Sequence, residues 1–306
     1  MLLIMLSSVG FGSMAIFTRF AYADGADLYG VLIARFWAAG LLLLAVVLLR
    51  KLQWPSRKEV MQLCLMGGIG YVGMSYCYFA ALSHLPASLV SLILYTYPTM
   101  VTLLAVLFLH EKVSSRQCAI LFLCALGTAL TIGANGIAGA APASALGLVL
   151  ALGAALIYAG YITAGATVTR KLDPVVTTTI ICLASAAVFT GLALGRAQFG
   201  IAVHFPATLS GWGGVAGVTL ASTVIAVIAF FAGLNRLGAA QAAMLSTIEP
   251  LITVGLAGWL LSESLTGWQL VGGALTLTGV IMLAGLGRKK PPSSTDGTAR
   301  QIRQFS

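Results

Sequence analysis

The chain has 306 residues, of which 59% are hydrophobic and only 8% are Asp, Glu, Lys or Arg. Soluble domains are about 25% charged, so this composition excludes soluble enzymes, nucleic-acid-binding proteins and secreted disulfide scaffolds. The mean hydropathy of +0.99 indicates an integral membrane protein surrounded by a lipid bilayer.

Continuous apolar runs predict ten transmembrane helices, since about 20 apolar residues are needed to cross a bilayer. In chain order these spans are 1–19, 28–50, 60–83, 87–109, 115–134, 144–169, 174–195, 211–234, 238–261 and 266–287. No basic residue precedes Arg19, so we interpret the first run as a retained helix and not a signal peptide. The polar, Pro- and Ser-rich tail at 288–306 is expected to be disordered.

The basic residues predict the orientation of the spans, because cytoplasmic loops of membrane proteins are rich in Lys and Arg. Ten spans leave both termini on one side of the membrane. If that side is the cytoplasm, the inner segments contain 14 of the 17 basic residues, and the outer loops contain only Arg19 and Arg196. We therefore expect both termini to be cytoplasmic, in the inner membrane of the cell.

The two halves of the chain repeat one another. A shift of 152 residues aligns residues 79–127 with 231–279 without gaps, and the identical pairs include Pro98/Pro250 and Glu111/Glu263. Because five spans are an odd number, the second copy must be inverted in the membrane. The sequence thus predicts an all-α fold of two inverted five-helix repeats, 1–134 and 144–287. Such repeats are typical of secondary transporters that bind substrate near the bilayer midplane.

Two of the nine prolines, Pro98 and Pro250, lie inside predicted spans and at equivalent positions of the repeat. A proline removes one helical hydrogen bond and tends to kink the helix. The carbonyls freed four residues earlier, at Leu94 and Ser246, then need other partners or face a cavity. We interpret both prolines as kinks that shape the cavity and flex during gating, with static packing as the alternative.

Glu249 is the one acidic residue predicted near the midplane, where a carboxylate marks a functional site by default. It is a candidate to bind a substrate ammonium group or to carry a proton. The alternative is a neutral glutamate that holds helices together. Arg35, inside the second span, is a candidate to attract a substrate carboxylate. Alternatively, Arg35 snorkels or pairs with an acid, for which the sequence offers Asp24, Asp27 and Glu263.

Tyrosines are concentrated in the third, fourth and sixth spans, several of them too deep for the membrane interface. A wet, aromatic cavity would satisfy their hydroxyls and bind apolar substrates, whereas helix packing is the alternative. The candidate substrate-binding tyrosines are Tyr71, Tyr78, Tyr95, Tyr97, Tyr158 and Tyr161. Glu111 and Glu263 lie at span ends, where we expect each to cap the following helix.

These features resemble a known family. Ten spans in an inverted repeat, Tyr97-Pro98 and Glu249-Pro250 in equivalent spans, and a glutamate thirteen residues after each proline resemble the EamA-type transporters of the drug/metabolite transporter superfamily. The tyrosine-rich third and fourth spans resemble the bacterial aromatic amino-acid exporters of the YddG type. The resemblance implies export of amino acids or related metabolites from the cytoplasm by alternating access.

The sequence therefore predicts a secondary transporter that exports aromatic and other neutral amino acids through a tyrosine-lined cavity. An exporter of another small metabolite or of a drug-like cation is the alternative. A membrane-embedded enzyme is disfavoured because no HExxH, GxSxG or Walker motif is present. The five cysteines form no CxxC pair, so we expect no metal and no cofactor. The expected partners are a small substrate and lipid, without nucleic acid. The sequence leaves open whether the protein forms a homodimer.

Overall fold

The computed structural model describes residues 2–97, 99–101, 115–116, 119–120, 122–124, 126–127, 129–130, 144–169, 171–237, 246, 248–263 and 265–286. Pro98, Glu111, Cys118 and the tail at 288–306 lie outside the described residues, as does much of the predicted fifth span. All regular structure in the described part is helical. The elements are α1 (Leu2–Gly12), α2 (Met14–Ala23), α3 (Leu28–Leu49), α4 (Arg57–Leu65), π1 (Met66–Tyr71), α5 (Val72–Leu82), α6 (Ala87–Leu94), α7 (Ala145–Val168), α8 (Pro174–Ala197), α9 (Leu209–Thr219), π2 (Leu220–Ile225), α10 (Ala226–Leu237), α11 (Ile248–Leu260) and α12 (Gly267–Leu286).

Six helical stretches of the described chain are long and apolar enough to cross a membrane. They are Leu2–Ala23, Leu28–Leu49, Arg57–Leu82, Ala145–Gly165, Pro174–Ala197 and Leu209–Leu234. The predicted all-helical membrane protein is thereby confirmed. The first stretch extends beyond the predicted end at residue 19, because α2 continues to Ala23.

Local sequence signals explain where several helices begin. The Asp27 side chain accepts a hydrogen bond of 2.7 Å from the Gly30 amide and caps α3. Ser56 and Glu59 form a reciprocal capping box at the start of α4. At α8 the Asp173 carboxylate caps the helix, and Pro174 occupies its first turn. Side chains of this kind satisfy amides that have no partner within the helix.

The bundle is formed mainly by four sets of packed helices: α3 against α8, α2 against α9, α5 against α7, and α1 against α10 and α11. Glycine allows one of these approaches. A Cβ added to Gly67 would lie 2.6 Å from the Ile181 carbonyl oxygen, so a side chain there would push π1 away from α8. The Ser185 hydroxyl of α8 donates a 2.9 Å hydrogen bond to the Gly67 carbonyl.

Two π-helical segments interrupt the apolar helices, π1 within Arg57–Leu82 and π2 within Leu209–Leu234. Short π segments inside helices are often located at functional sites. Neither segment was predicted from the sequence. Their sequences, MGGIGY and LASTVI, share no pattern that separates them from ordinary apolar helix.

The prediction that Glu263 caps the following helix is wrong. Its carboxylate accepts hydrogen bonds from the amides of Ala87 and Ser88, at 3.0 and 3.1 Å, and from the Ser88 hydroxyl at 2.8 Å. Glu263 therefore caps α6, which lies in the other half of the chain. The start of α12 is capped by Thr266 and Gln269 through reciprocal hydrogen bonds of 2.9 and 3.2 Å.

We predict that Glu263→Ala lowers the free energy of unfolding by about 1–2 kcal/mol, as is usual when a helix N-cap is removed. Thermal unfolding in detergent, followed by tryptophan fluorescence, measures the change. Ser88→Ala is the matched variant, since it removes one of the three hydrogen bonds and should give a smaller loss. A Glu263→Ala protein as stable as the wild type would show that the cap is unimportant.

Candidate substrate cavity

A narrow cavity lies in the centre of the bundle, with walls from both halves of the chain. Its free volume is about 20 Å³, enough for about one water molecule. The lining residues are Phe11, Met14, Tyr71, Met74, Leu94, Tyr158, Tyr161, Val227, Phe230, Phe231 and Glu249. Among the described residues of this lining, Glu249 is the only one with a carboxyl group. A molecule larger than water can enter only if the walls move.

Glu249 lies in the first turn of α11, where the N-terminal end of the helix favours negative charge. One of its carboxylate oxygens is 3.2 Å from the Tyr95 hydroxyl oxygen. The same hydroxyl donates to the main-chain carbonyl of Ser246. This carbonyl lies four residues before Pro250 and was expected to need a partner outside its own helix. The Tyr95 hydroxyl is that partner.

The two acceptors beside Tyr95 compete, because a phenol has only one proton to donate. When the proton goes to the Ser246 carbonyl, the phenol oxygen can only accept a hydrogen bond from Glu249. A protonated carboxyl group can donate that bond, and a carboxylate cannot. The geometry therefore makes the contact between Tyr95 and Glu249 sensitive to whether Glu249 holds a proton.

Five tyrosines form a continuous row across the bundle, which we call the tyrosine row. The ring centroids are separated by 5.5 Å from Tyr95 to Tyr97, by 4.9 Å from Tyr97 to Tyr158, by 6.2 Å from Tyr158 to Tyr161 and by 5.4 Å from Tyr161 to Tyr71. Edge-to-face and stacked aromatic pairs at such separations stabilise one another. The row begins beside Glu249 and ends beside Arg35.

Arg35 is 1% exposed, so it does not snorkel to the membrane surface. Its Nε donates to the Thr223 hydroxyl at 2.6 Å, and its Nη2 donates to the Tyr71 hydroxyl at 3.0 Å. The guanidinium carbon lies 4.8 Å from the centre of the Phe36 ring and 5.3 Å from that of Phe79. These contacts place a buried cation at the end of the tyrosine row.

The predicted acidic partners of Arg35 are all engaged elsewhere. Asp24 accepts a 2.7 Å hydrogen bond from the Thr208 amide, which lowers the pKa of its carboxyl group. Asp27 caps α3 and lies 3.9 Å from His204, and Glu263 caps α6. The alternative in which Arg35 forms an ion pair is therefore wrong for each of these three acids.

The structure distributes the other predicted site residues between the cavity wall and the layer behind it. Tyr71, Tyr158, Tyr161 and Glu249 line the cavity. Tyr95 and Tyr97 contact this wall from behind, through Glu249 and Tyr158 respectively. Tyr78 is buried, and its ring lies 5.9 Å from that of Phe79, outside the lining set. Pro250 is helical within α11.

The apolar part of the wall, which α1 and α10 supply, was not predicted from the sequence. Phe11 and Phe230 have ring centroids 6.3 Å apart and line the cavity together with Phe231. In a membrane protein, apolar residues that face a cavity have the same composition as those that face lipid or pack in the core. One available signal was the repeat, since the shift of 152 residues pairs Phe231 with Phe79.

The family model for the EamA-like transporter family matches this chain twice, at residues 1–133 and at residues 145–285. The chain belongs to the EamA-like transporter family. It is a multi-pass membrane transporter and not an enzyme. Its substrate is accordingly a small molecule, and the protein itself lies in the membrane.

Two curated proteins are similar in sequence. The uncharacterized transporter YcbK of Bacillus subtilis is 25% identical over 280 residues, which are 88% of this chain and 87% of that protein. The uncharacterized transporter sll1319 of Synechocystis is 26% identical over 225 residues, which are 71% of this chain but 65% of that protein. Neither name states a substrate, so the narrower resemblance to aromatic amino-acid exporters stays a proposal.

A protein of known crystal structure has the same fold. The superposition gives a TM-score of 0.66 and covers 94% of this chain and 98% of the other, at 20% sequence identity. At this identity the likeness concerns the fold alone.

We predict that Tyr95→Phe lowers the free energy of unfolding by about 1–3 kcal/mol, because the Ser246 carbonyl is left without its partner in the membrane. Tyr161→Phe is a matched control, since the buried Tyr161 hydroxyl has no hydrogen-bond partner among the described residues. Its removal should leave stability unchanged or slightly higher. Unfolding temperatures of the two variants in detergent make the comparison, and equal losses would contradict the assignment.

Proposed function

We propose that this transporter exports neutral amino acids, aromatic ones included, from the cytoplasm by alternating access. The observation that carries the proposal is a central cavity with one carboxyl group, Glu249, and a wall of tyrosine and phenylalanine rings. Rings of this kind bind apolar and aromatic side chains. A carboxylate in the same cavity binds the ammonium group that amino acids share.

We further propose that ten spans form two inverted repeats, 1–134 and 144–287, with both termini in the cytoplasm. The helix packing supports this arrangement. If the two halves are exchanged, α10 takes the place of α5 and α1 takes the place of α7. The contact between α5 and α7 then becomes the contact between α10 and α1, and both contacts are among the largest in the bundle. The contact between α3 and α8 is converted into itself. A cavity between such halves can open to either side.

The size of the cavity supports alternating access over a permanent pore. A free volume of about 20 Å³ is too small for an amino acid, which favours a cavity that opens over a permanent pore. Binding then requires the helices that carry the cavity wall to separate on one side at a time. We propose that Pro250, near the start of α11 and adjacent to Glu249, is a bending point, and that Pro98 has the same role.

Reconstituted protein tests the proposal directly. Liposomes containing the purified transporter are loaded with one of the twenty amino acids and assayed for counterflow of the labelled form. We expect saturable counterflow of phenylalanine, tryptophan, tyrosine and smaller neutral amino acids. Cells that overproduce the protein should also tolerate toxic amino-acid analogues better. Absence of counterflow for all twenty would contradict the proposal.

We predict that Glu249→Gln reduces amino-acid transport about tenfold or more, since hydrogen bonds to charged groups contribute about 1.5–3 kcal/mol. The glutamine amide can still donate to the Tyr95 oxygen, so the unfolding temperature should change little. If Glu249 only holds helices together, the variant will transport normally. A pH gradient across the liposomes separates the two functional roles, because transport coupled to proton exchange will follow the gradient.

The export of a drug-like cation is the second candidate function. A carboxyl group among aromatic rings would also bind an organic cation, through an ion pair and cation–π contacts. The buried Arg35 at the other end of the tyrosine row disfavours a ligand that carries only positive charge. Counterflow of a quaternary ammonium compound in the same liposomes, in the absence of amino-acid counterflow, would favour this candidate.

A further inference from the structure

We propose that Arg35, Tyr71 and Tyr161 form a carboxylate-binding site beside the central cavity that Glu249 also lines. The inference rests on the proposed function, because it assigns the second charged group of an amino-acid substrate. It makes the transporter selective for molecules that carry a carboxylate as well as an ammonium group.

The first support is a set of hydrogen-bond donors that the protein does not use. Nη1 of Arg35 and the hydroxyl of Tyr161 are buried and have no partner among the described residues. The Tyr71 hydroxyl accepts from Arg35, and none of the described residues accepts the Tyr71 proton. Buried donors are nearly always paired, and unpaired ones require an explanation. A ligand with acceptor oxygens would satisfy these three groups.

The second support is the charge of the Arg35 side chain. An arginine remains protonated in proteins, so this buried group cannot become neutral as a buried acid can. No carboxylate of the described residues contacts it, and the rings of Phe36 and Phe79 offset its desolvation only in part. Ionisable groups inside a membrane mark substrate or ion pathways by default. A positive charge without a carboxylate indicates an anionic ligand group.

The third support is the path from the cavity to the guanidinium group. Tyr71 and Tyr161 line the cavity, and their stacked rings lie at its Arg35 end. The Tyr71 oxygen accepts from Nη2, which polarises its O–H bond and strengthens its donation to a further acceptor. A carboxylate in the cavity would therefore meet Tyr71 and Tyr161 first and the field of Arg35 behind them. Movement of Tyr71 would expose the guanidinium itself.

The fourth support is the position of Arg35 between the two halves of the chain. The shift of 152 residues that relates the halves pairs Tyr71 with Thr223. Tyr71 ends π1, Thr223 lies in π2, and Arg35 donates to both. Arg35 thus links π1 of one half to π2 of the other. Substrate sites of transporters with inverted repeats occur between the repeats.

Together with Glu249, the proposed site makes the cavity complementary to a zwitterion. The ammonium group of the substrate pairs with Glu249, the carboxylate binds Tyr71, Tyr161 and Arg35, and the side chain contacts the remaining rings. An amine without a carboxylate loses one set of contacts, and a carboxylate without an amine loses the other. Selectivity between these analogues is the property to measure.

The test uses counterflow in liposomes with three competing compounds: phenylalanine, 2-phenylethylamine, which lacks the carboxylate, and 3-phenylpropionate, which lacks the ammonium group. The wild type should be inhibited by phenylalanine at concentrations at least about tenfold lower than by either analogue. Arg35→Gln should raise the phenylalanine concentration required about tenfold and leave that for 2-phenylethylamine unchanged. Glu249→Gln should give the converse pattern, with inhibition by 3-phenylpropionate unchanged.

Tyr161→Phe keeps the test informative if Arg35→Gln fails to fold, since this hydroxyl has no partner to lose. We expect it to weaken inhibition by phenylalanine and by 3-phenylpropionate about threefold to tenfold, without an effect on 2-phenylethylamine. Arg196→Gln is the control for loss of a positive charge. Arg196 lies in the last turn of α8, away from the cavity lining, and its guanidinium carbon is 4.1 Å from the centroid of the Tyr29 ring. This variant should behave like the wild type.

The outcomes separate the two proposals. Phenylalanine counterflow whose selectivity is unchanged in both Arg35→Gln and Tyr161→Phe overturns the carboxylate site and leaves amino-acid export standing. Absence of counterflow for every amino acid overturns the proposed function, and the carboxylate site with it. A selective loss of phenylalanine and 3-phenylpropionate binding in either variant supports both.

Discussion

Within the hydrocarbon of a membrane, a polar group must find its partner inside the protein, since no water is present to replace it. The hydrogen bond from Tyr95 to the Ser246 carbonyl meets this requirement at the helix that carries Glu249. Pro250 creates the unpaired carbonyl, and a side chain from the other half of the chain satisfies it. The same interaction orients Tyr95 toward Glu249 and joins the two halves beside the cavity.

Departures from the internal repeat give the cavity its polarity. The shift of 152 residues pairs Glu249 with Tyr97 and Thr223 with Tyr71, and Arg35 donates to the second pair. If both halves carried identical residues, the cavity would have equivalent ends. Substitution of an acid for a phenol on one side, and addition of a single arginine on the other, creates an acidic end and a basic end. Under the proposed function, an asymmetric ligand would bind such a cavity in one orientation.

Six of the ten predicted spans are found in the described part of the chain, because a long run of apolar residues is a local signal. The positions of Glu249 and Arg35 inside such helices could be read from the same runs, and their roles stay proposals. Predictions that depend on which helices meet were less successful. Glu263 was expected to cap the helix that follows it, yet it caps α6, which is remote in sequence. Nothing in the sequence around residue 263 specifies that neighbour.

The cavity wall and the π segments could not be predicted, for physical reasons. Phe11 and Phe230 differ from lipid-facing phenylalanines only in their neighbours, which the tertiary packing determines. A π segment adds one residue to a helical turn without an obligatory sequence, although Gly67 of π1 removes the side chain that would collide with α8. The hydroxyl of Thr223 donates to the carbonyl of Val218, five residues earlier, and so helps to satisfy the altered backbone of π2.

The separation of Arg35 from Glu249 is the remaining feature that the site must explain. Opposite charges in a membrane attract strongly, and a direct ion pair would satisfy both side chains without any ligand. In the described residues they form no ion pair: Arg35 donates to Thr223 and Tyr71, and Glu249 contacts Tyr95. Each charged group therefore keeps part of its binding capacity in the closed bundle. Arginine stays protonated, so among the described residues around the cavity only Glu249 could balance its charge in the absence of a ligand. Under the proposed function, a zwitterion bound in the cavity would supply a partner to each of the two charged groups.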